Sequence, residues 1–321
     1  MGVSSITDTY GREFKTLRIS LTNVCNLGCI YCTDDKPSPR LAKTGNILSA
    51  SNLIDLVKSI HLLVGLETVR LTGGEPTLYK DLITLTQGLK HLGISKIKMT
   101  SNGYNLKSKV RDLAEAGLTS INISLDAIKE EAFYKMSGRK NLQKIIEGIE
   151  EALLADISVK LNAVIMKGKN EDQILPLLAF AQSRNIPIRF LELMKMGHLD
   201  EENLRLYFFS EEDILGVIGK EVKVSRVLRK RSSTGNYWIT EEGQRFGIIA
   251  NESSPFCHDC NRLRVDSFGN IYGCLSENKP IPIFPHLNEP RIIAEKLKEA
   301  LAHKQPVKFK GSEISMLAIG G

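Results

Sequence analysis

Short apolar runs alternate with longer stretches of helical spacing as far as residue 193. Runs of strand length predict strands at Leu17–Leu21, Thr68–Thr72, Lys96–Thr100, Ser120–Leu125, Ser158–Ile165 and Pro187–Leu193. Apolar residues three and four apart predict helices at Ala50–Leu63, Asp81–Leu92, Leu106–Ala116, Leu142–Leu154 and Gln173–Arg184. Because strands and helices alternate, we expect a parallel α/β arrangement with right-handed connections.

The strand–helix repeat is less clear after Leu193. The pattern therefore predicts an incomplete barrel, a partial (βα)6 TIM-type barrel rather than the full eight units. An open doubly wound sheet is the alternative, since periodicity alone does not separate the two.

The composition is that of an ordinary soluble enzyme. The 321 residues are 42% apolar and 25% charged, and the net charge of +6 suits a small anionic substrate without requiring nucleic acid. The chain shows neither a signal-peptide core nor a long uncharged run, so we expect a soluble cytoplasmic protein. In a reducing compartment its six cysteines are better suited to metal binding than to disulfides.

A loop directly after the first predicted strand carries three cysteines. Cys25, Cys29 and Cys32 have the spacing CxxxCxxC, and Tyr31 precedes the last of them. A closed structural zinc site needs four protein ligands. Three thiolates instead suit a four-iron cluster that keeps one iron open to a ligand that is not protein. We interpret the loop as such a site, with three unconnected thiols as the alternative.

A second group of three cysteines lies near the C-terminus. Cys257 and Cys260 are separated by two residues, and Cys274 follows after thirteen more. This spacing allows a second cluster with an open position, or a zinc site completed by the intervening histidine. Arg262 and Arg264 come directly afterwards, and an extended segment would place both on one side, where two guanidinium groups can bind phosphate. The arginine pair favours the cluster over zinc and over a solvated basic strand.

Further unusual residues follow the predicted strands at their carboxyl ends, where parallel barrels have their active sites. GGEP (Gly73–Pro76) follows the second strand, SNG (Ser101–Gly103) the third and Asp126 the fourth, while Met194 closes the sixth. Each of these could be an ordinary turn by itself. Their occurrence together with the cysteine loop favours a binding site, in which paired glycines let the backbone approach a ligand.

The CxxxCxxC loop followed by GGEP resembles the radical S-adenosylmethionine (SAM) enzymes. With CNRLR, a distant cysteine and a terminal GG, nearly the whole chain resembles the MoaA family, the GTP 3',8-cyclases of molybdenum-cofactor biosynthesis. The resemblance implies a radical SAM partial barrel in residues 1–235. It also implies a smaller C-terminal domain in residues 236–321 that closes the open side of the barrel.

The resemblance further implies a lyase with two [4Fe-4S] clusters and SAM as cofactors. A 5'-deoxyadenosyl radical made from SAM would take the 3' hydrogen of the GTP ribose. The carbon radical would then attack carbon 8 of guanine, and one further reduction would complete 3',8-cyclo-7,8-dihydro-GTP, the product of the first step of molybdopterin biosynthesis. An electron donor and a downstream pyranopterin-forming enzyme are the implied protein partners, a homodimer is left open, and neither nucleic acid nor a membrane is expected.

The same resemblance assigns roles to single residues. The cluster ligands would be Cys25, Cys29 and Cys32, and then Cys257, Cys260 and Cys274. The SAM-binding residues would be Tyr31, Gly74, Ser124 and Met194. The GTP-binding residues would be Arg18, Arg70, Thr100, Lys160, Arg189, Arg262 and Arg264. The residues implied in catalysis are Arg18, Arg262, Arg264, Gly320 and Gly321.

The sequence departs from the family pattern in three places. Thr68 stands where some members have a lysine for the triphosphate, Thr33–Asp34 replaces a frequent Met-Pro, and Val24 replaces a frequent basic residue. We therefore expect altered phosphate contacts and altered surroundings of the first cluster. The basic run Arg226–Ser233 is interpreted as a solvated loop.

Two other functions stay open at this point. One is a radical SAM enzyme with an auxiliary cluster that acts on a peptide. The other is a non-catalytic zinc-binding protein in which both cysteine groups are structural. The arginine set and the terminal glycines favour GTP over a peptide substrate, and metal analysis after anaerobic purification would separate two iron–sulfur clusters from zinc.

Overall fold

The structure is a computed structural model that describes residues 6–33 and 47–320. Its strands are β1 Thr16–Ser20, β2 Thr68–Thr72, β3 Lys96–Ser101, β4 Leu118–Ser124, β5 Ser158–Val164, β6 Ile188–Leu191, β7 Val224–Val227, β8 Asn236–Thr240, β9 Arg245–Ile249, β10 Arg262–Val265, β11 Asn270–Tyr272 and β12 Ile281–Pro282. Its α-helices are α1 Ala50–Val64, α2 Leu82–His91, α3 Val110–Ala116, α4 Glu130–Ser137, α5 Gln143–Leu154, α6 Ile174–Gln182, α7 Glu201–Tyr207, α8 Glu211–Ile218, α9 Pro290–Ala302 and α10 Met316–Ile319.

All of these strands belong to one sheet, in the order β12-β11-β10-β1-β2-β3-β4-β5-β6-β9-β8-β7. The run from β10 to β9 is parallel throughout. Antiparallel strands extend it at both edges, β11 and β12 beside β10, and β8 and β7 beside β9. The sheet does not close on itself, which confirms the predicted partial barrel.

The C-terminal part of the chain contributes to both edges of this sheet. β9 adds to β6 and β10 adds to β1, so two parallel strands come from residues after 235. The β7–β8 hairpin pairs Val227 with Tyr237 across the predicted boundary between residues 235 and 236. The division into two domains at that point stays a prediction.

The predicted elements overlap those of the structure, with differences at their ends. β6 ends at Leu191, so the expectation that Met194 closes this strand was wrong, and Met194 lies in the loop beyond it. α3 begins at Val110 rather than Leu106 because the preceding residues form turns. α4 was not predicted, since it is short and mostly polar, with only two large apolar side chains buried, Phe133 and Met136.

The two faces of the parallel strands differ in chemistry. In β1, Leu17 and Ile19 are fully buried in the core that includes Leu53 of α1, whereas Arg18 between them points the opposite way and lines a cavity. The same alternation puts Arg70 between the fully buried Val69 and Leu71 of β2. Closed TIM barrels fill their interior with branched apolar side chains. This open barrel has polar and cationic groups there, which leaves its interior available to a ligand.

The helices that cover the apolar face have well-defined ends. α1 begins after Ser49, whose hydroxyl accepts a hydrogen bond from the Asn52 N–H, and ends at Gly65 in the left-handed conformation. Among the residues that the structure describes, no helix has both the length and the apolar character needed to cross a membrane.

Candidate active site

One cavity at the carboxyl ends of the parallel strands brings the two cysteine groups together. Cys25, Cys29 and Cys32 reach it from the loop after β1, Cys257 and Cys260 from the segment before β10, and Cys274 from the loop after β11. All six thiols are free and line this cavity. The two cysteine groups lie close together because β1 pairs with β10, although these strands are far apart in the sequence.

The GGEP loop packs directly on the first cysteine loop. A Cβ atom on Gly74 would lie 2.2 Å from the carbonyl oxygen of Val24, and one on Gly73 would lie 2.5 Å from that of Thr22. The backbone N–H of Gly74 donates to Thr22 at 2.6 Å, and that of Glu75 donates to Val24 at 2.8 Å. The missing side chains therefore allow two loops to approach each other, and Gly73 and Gly74 still line the cavity.

The carboxylate of Glu75 fixes the positions of these loops. It is fully buried and accepts hydrogen bonds from the Thr77 N–H at 3.0 Å, the Thr77 hydroxyl at 2.7 Å and the Ser101 hydroxyl at 2.8 Å. The Asn102 N–H donates to its other oxygen at 2.7 Å. Burial raises the pKa of Glu75, while these donors act in the opposite direction. GGEP and SNG are thus one hydrogen-bonded unit beside the cysteines.

Burial disfavours the thiolate form in the first cysteine group. It raises the pKa of Cys25 to about 11, with a further contribution from the negative charge of Glu75. Burial also raises the pKa values of Cys29 and Cys32, with further contributions from the negative charges of neighbouring cysteines and of Asp126. A bound metal centre would have to stabilise three thiolates here.

The second cysteine group has cations around it instead. Burial alone would raise the pKa of Cys260, but Arg262 and Lys304 overcome this and lower it to about 6. Burial raises the pKa of Cys257 to about 11. Arg262 donates from Nε to the Cys260 sulfur at 3.4 Å, so the arginine that the sequence singled out contacts a candidate ligand directly.

The zinc alternative for the second cysteine group depends on the intervening histidine as its fourth ligand. Within residues 6–33 and 47–320, no group of three or more Cys, His, Asp or Glu side chains has a geometry that could hold a metal ion. His258, the candidate fourth zinc ligand, is exposed and does not line the cavity. Zinc would need four ligands at about 2.0–2.3 Å, whereas an iron–sulfur cluster distributes its thiolates over several irons.

The four residues implied in SAM binding lie on the wall of the cavity: Tyr31, Gly74, Ser124 and Met194. The Tyr31 hydroxyl donates to Asp126 at 2.8 Å, and the Val164 N–H donates to the other oxygen of that carboxylate at 2.8 Å. Burial raises the pKa of Asp126 to about 6, against the effect of these two donors. The first cysteine loop is thereby joined to the ends of β4 and β5.

Five of the seven residues implied in GTP binding line the same cavity: Arg18, Thr100, Arg189, Arg262 and Arg264. Arg18 lies level with Arg264 on one side and with Arg70 on the other. Its Nε atom is buried and has no hydrogen-bond partner among the described residues. Burial lowers the pKa of Arg18 well below its usual value, and Arg264, Arg70 and Arg262 lower it further. An anion in the cavity would relieve this cost.

The structure does not place Arg70 and Lys160 on the wall of the main cavity. Arg70 lies behind Thr100, where it donates to the Met99 carbonyl at 3.1 Å and to the Thr100 hydroxyl at 3.4 Å. Lys160 lines a second cavity with Lys230 and Arg231. Lys230 and Arg231 belong to the basic run Arg226–Ser233, so part of this run lines a cavity as well as being exposed to solvent.

Three asparagines lie on the cavity wall, and two of them, Asn122 and Asn162, were not predicted, whereas Asn102 belongs to the predicted SNG segment. Asn162 accepts from Arg189 at 2.7 and 3.0 Å. With its amide oxygen turned toward the guanidinium groups, Asn122 accepts from Arg189 at 2.7 Å and from Arg70 at 3.0 Å. The polar alternation Lys160, Asn162 in β5 was the available sequence signal for this inner face.

The C-terminus returns to the cavity. α10 ends at Gly320, whose carbonyl oxygen accepts a hydrogen bond from Nη1 of Arg264. Gly320 itself is buried beside Thr72 and Gly73. Gly321 and Asp34 lie outside the described residues, so the role of the one and the effect of the other stay predictions.

Comparisons with known proteins match both parts of the chain. Residues 19–181 match the Radical SAM superfamily, and residues 186–310 match Molybdenum Cofactor Synthesis C. The GTP 3',8-cyclase of Aquifex aeolicus strain VF5 is 34% identical over 319 residues, which cover 98% of this chain and 99% of that protein. The chain belongs to the GTP 3',8-cyclase family of the radical SAM superfamily.

Another member of the GTP 3',8-cyclase family, from Helicobacter pylori strain J99, is 35% identical over 271 residues, or 84% of this chain and 83% of the relative. Solved structures of more distant proteins share the fold. Streptococcus suis SuiB bound to S-adenosylmethionine has a TM-score of 0.62 at 17% identity and covers 91% of this chain and 68% of its own. Native anSMEcpe with bound AdoMet has a TM-score of 0.63 at 15% identity and covers 89% and 82%.

Proposed function

We propose that this protein is a GTP 3',8-cyclase, the radical SAM lyase that converts GTP to 3',8-cyclo-7,8-dihydro-GTP in molybdenum-cofactor biosynthesis. One observation carries the proposal: two groups of three thiols and four arginines from three separate strands line a single cavity. The family membership supports the same activity, since the relatives that carry this name match nearly the full length of the chain.

The first cysteine group would hold a [4Fe-4S] cluster and SAM. The cluster would supply one electron, received from an external donor, to cleave the C5'–S bond of SAM into methionine and a 5'-deoxyadenosyl radical. The chain's own part is to position SAM, through the Gly73–Gly74 backbone, Ser124, and Tyr31 held by Asp126. Met194 lines the same cavity.

Cys257, Cys260 and Cys274 line the same cavity and would hold a further cluster, which would supply an iron free to bind the guanine base. Cys260 supports this assignment, because its thiolate form is already favoured by Arg262 and Lys304. A substrate held between the two thiol groups would present its ribose to the SAM side. Such positioning is the main contribution that this chain can make to rate and selectivity.

The arginines would bind the triphosphate and orient the nucleotide. Arg18 and Arg264 lie level with each other on adjacent strands, and Arg262 is two residues from Arg264 on the same face. Guanidinium groups make charge-assisted bonds to phosphate oxygens. Arg70 and Lys160 would act from behind the wall or from the adjoining cavity, so their effect on GTP binding is expected to be weaker.

The decisive experiment is anaerobic reconstitution of the full chain with iron and sulfide, followed by incubation with SAM, a reductant and GTP. We expect 5'-deoxyadenosine and a cyclised nucleotide, and about eight iron atoms per chain for two four-iron clusters. Cys274→Ala should keep about four of them and produce no cyclised nucleotide. Two bound zinc ions without iron would support the zinc-binding protein instead. Full cluster content with turnover of a peptide but not of GTP would support the peptide-modifying alternative.

We further propose the remaining partners on the family resemblance alone. They are an external one-electron donor and a downstream enzyme that converts the cyclised nucleotide to a pyranopterin. A homodimer and a cytoplasmic location belong to the same proposal. Size-exclusion chromatography of the reconstituted enzyme would test the dimer.

A further inference from the structure

Lys304 lies beside the second cysteine group, and no motif in the sequence predicted a role for it. It comes two residues after the end of α9 and is only 5% exposed. Its ammonium donates to the Cys260 sulfur at 3.5 Å, to the Arg262 carbonyl at 2.9 Å and to the Gly273 carbonyl at 2.7 Å. An ammonium has three N–H donors. All three thus have an acceptor, and these acceptors lie on the two segments that carry the second cysteine group.

The absence of a side chain at Gly273 allows Lys304 to reach this position. A Cβ atom on Gly273 would lie 1.7 Å from the carbonyl oxygen of Ala300 and 3.3 Å from Cγ of Lys304. Only glycine therefore fits at the residue that precedes Cys274. The loop that carries this cysteine can then pack on the end of α9 and offer its carbonyl to the lysine.

The negative partners of Lys304 are cysteines rather than carboxylates. Burial lowers the pKa of Lys304, and Cys260 and Cys274 oppose that shift. An ammonium in the protein interior is stabilised by a nearby anion. Because the ammonium of Lys304 lies 3.5 Å from the Cys260 sulfur, a thiolate that binds metal at this position would balance its charge.

We propose that Lys304 is a positioning residue of the second cluster, which holds the Cys260 and Cys274 segments together and raises the reduction potential of the cluster by its positive charge. Adding one electron to a cluster makes it more negative, and a cation bonded to a ligand sulfur stabilises that reduced form. The inference rests on the proposed second cluster. It assigns to this chain's own residue a part in setting how readily that cluster takes up an electron.

If Lys304 only held the Cys260 and Cys274 segments together by hydrogen bonds, its positive charge would not be needed. Lys304→Gln keeps an amide that can donate to the two carbonyls but removes the charge. Lys304→Met removes both, and Lys304→Arg keeps the charge. Lys298, exposed on α9, provides the matched control Lys298→Met.

The test uses the full chain with Cys25, Cys29 and Cys32 all replaced by alanine, so that only the second cluster can form. After anaerobic reconstitution, iron analysis should give about four iron atoms per chain. The midpoint potential is then measured by redox titration followed by electron paramagnetic resonance. We expect Lys304→Gln and Lys304→Met to shift it to more negative values, and Lys304→Arg and Lys298→Met to stay near the parent.

A cluster with the same midpoint potential in Lys304→Gln as in the parent overturns the role of the charge. If Lys304→Met does not fold, Lys304→Gln carries the comparison. If the parent background binds no iron, the proposed second cluster is wrong and the inference fails with it.

Discussion

Arg264 of β10 donates a hydrogen bond from Nη1 to the carbonyl oxygen of Gly320, the residue at which the last helix ends. The bond ties the C-terminus to a strand whose guanidinium groups line the cavity. Gly320 has a φ of 75°, and a Cβ atom there would lie 2.6 Å from Cγ2 of Thr72 and 3.2 Å from the Gly73 nitrogen. The C-terminal segment therefore fits beside β2 only without a side chain at this position.

Gly320→Ala should displace the C-terminal segment and separate Arg264 from its acceptor. Since a small misplacement of reacting groups costs up to about 100-fold in rate, we expect kcat for cyclisation to fall by about that factor. Iron content should stay that of the parent. The matched control is Gly243→Ala, because Gly243 has a φ of 84° but nothing within 4 Å of an added Cβ atom. A Gly320→Ala enzyme with the parent's kcat would contradict the prediction.

Arg18→Met should weaken GTP binding without weakening the fold. The Nε atom of Arg18 has no partner in the described part of the chain, so removal of the charge breaks no bond at that atom. A hydrogen bond to a charged group is worth about 1.5–3 kcal/mol, which corresponds to a Kd about 10- to 150-fold higher. Anaerobic calorimetry of GTP binding measures this, and thermal unfolding of the apoprotein should give a Tm no lower than the parent's.

The control for this prediction is Arg111→Met, which removes an exposed arginine paired with Glu151 on the outer surface. It should leave the Kd for GTP unchanged. A Tm that falls in Arg18→Met but not in Arg111→Met would mean that Arg18 stabilises the fold, which contradicts the prediction that its role is to bind an anionic ligand.

Glu75→Gln should destabilise the protein. Both oxygens of the Glu75 carboxylate accept hydrogen bonds from buried N–H or O–H groups. In the variant an amide NH2 group replaces one of these oxygens, so a buried donor would face another donor and lose its acceptor. Such a loss costs about 1–3 kcal/mol in the free energy of unfolding. Urea unfolding of the reduced apoprotein measures it. Glu115→Gln on the exposed face of α3 should show no change, and equal stability of the two variants would show that the Glu75 charge is unimportant.

Asp126 should make stability depend on pH in the acidic range. Burial raises its pKa in the folded protein to about 6, from an ordinary value of 3.8. The folded state then binds more protons than the unfolded state between these values, so stability falls as pH rises through this window and levels off above it. Asp126→Asn keeps an acceptor for the Val164 N–H and lacks the titration. Thermal unfolding at pH 5 and pH 7.5 should therefore show the parent losing Tm relative to the variant, and a constant difference would exclude this origin.

The local elements of this chain were predictable from its sequence. The period of the apolar residues identified the six βα units and most of their bounds, because alternation in a strand and a spacing of 3.6 in a helix depend only on near neighbours. The cysteine spacings were equally direct, since ligands a few residues apart must share one loop. The short polar helix α4 was not predicted because its few buried side chains produce too weak a pattern of apolar residues.

Tertiary structure decided which of these loops meet. Pairing of β1 with β10 and of β6 with β9 extended the parallel sheet with strands from the far end of the chain, and brought both cysteine groups into one cavity. Asn122 and Asn162 beside Arg189, and Lys304 beneath Cys260, owe their positions to the same long-range contacts. The sequence by itself determined the units and their chemistry. Only folding determined their relative positions, because contacts between residues hundreds of positions apart leave no periodic trace in the chain.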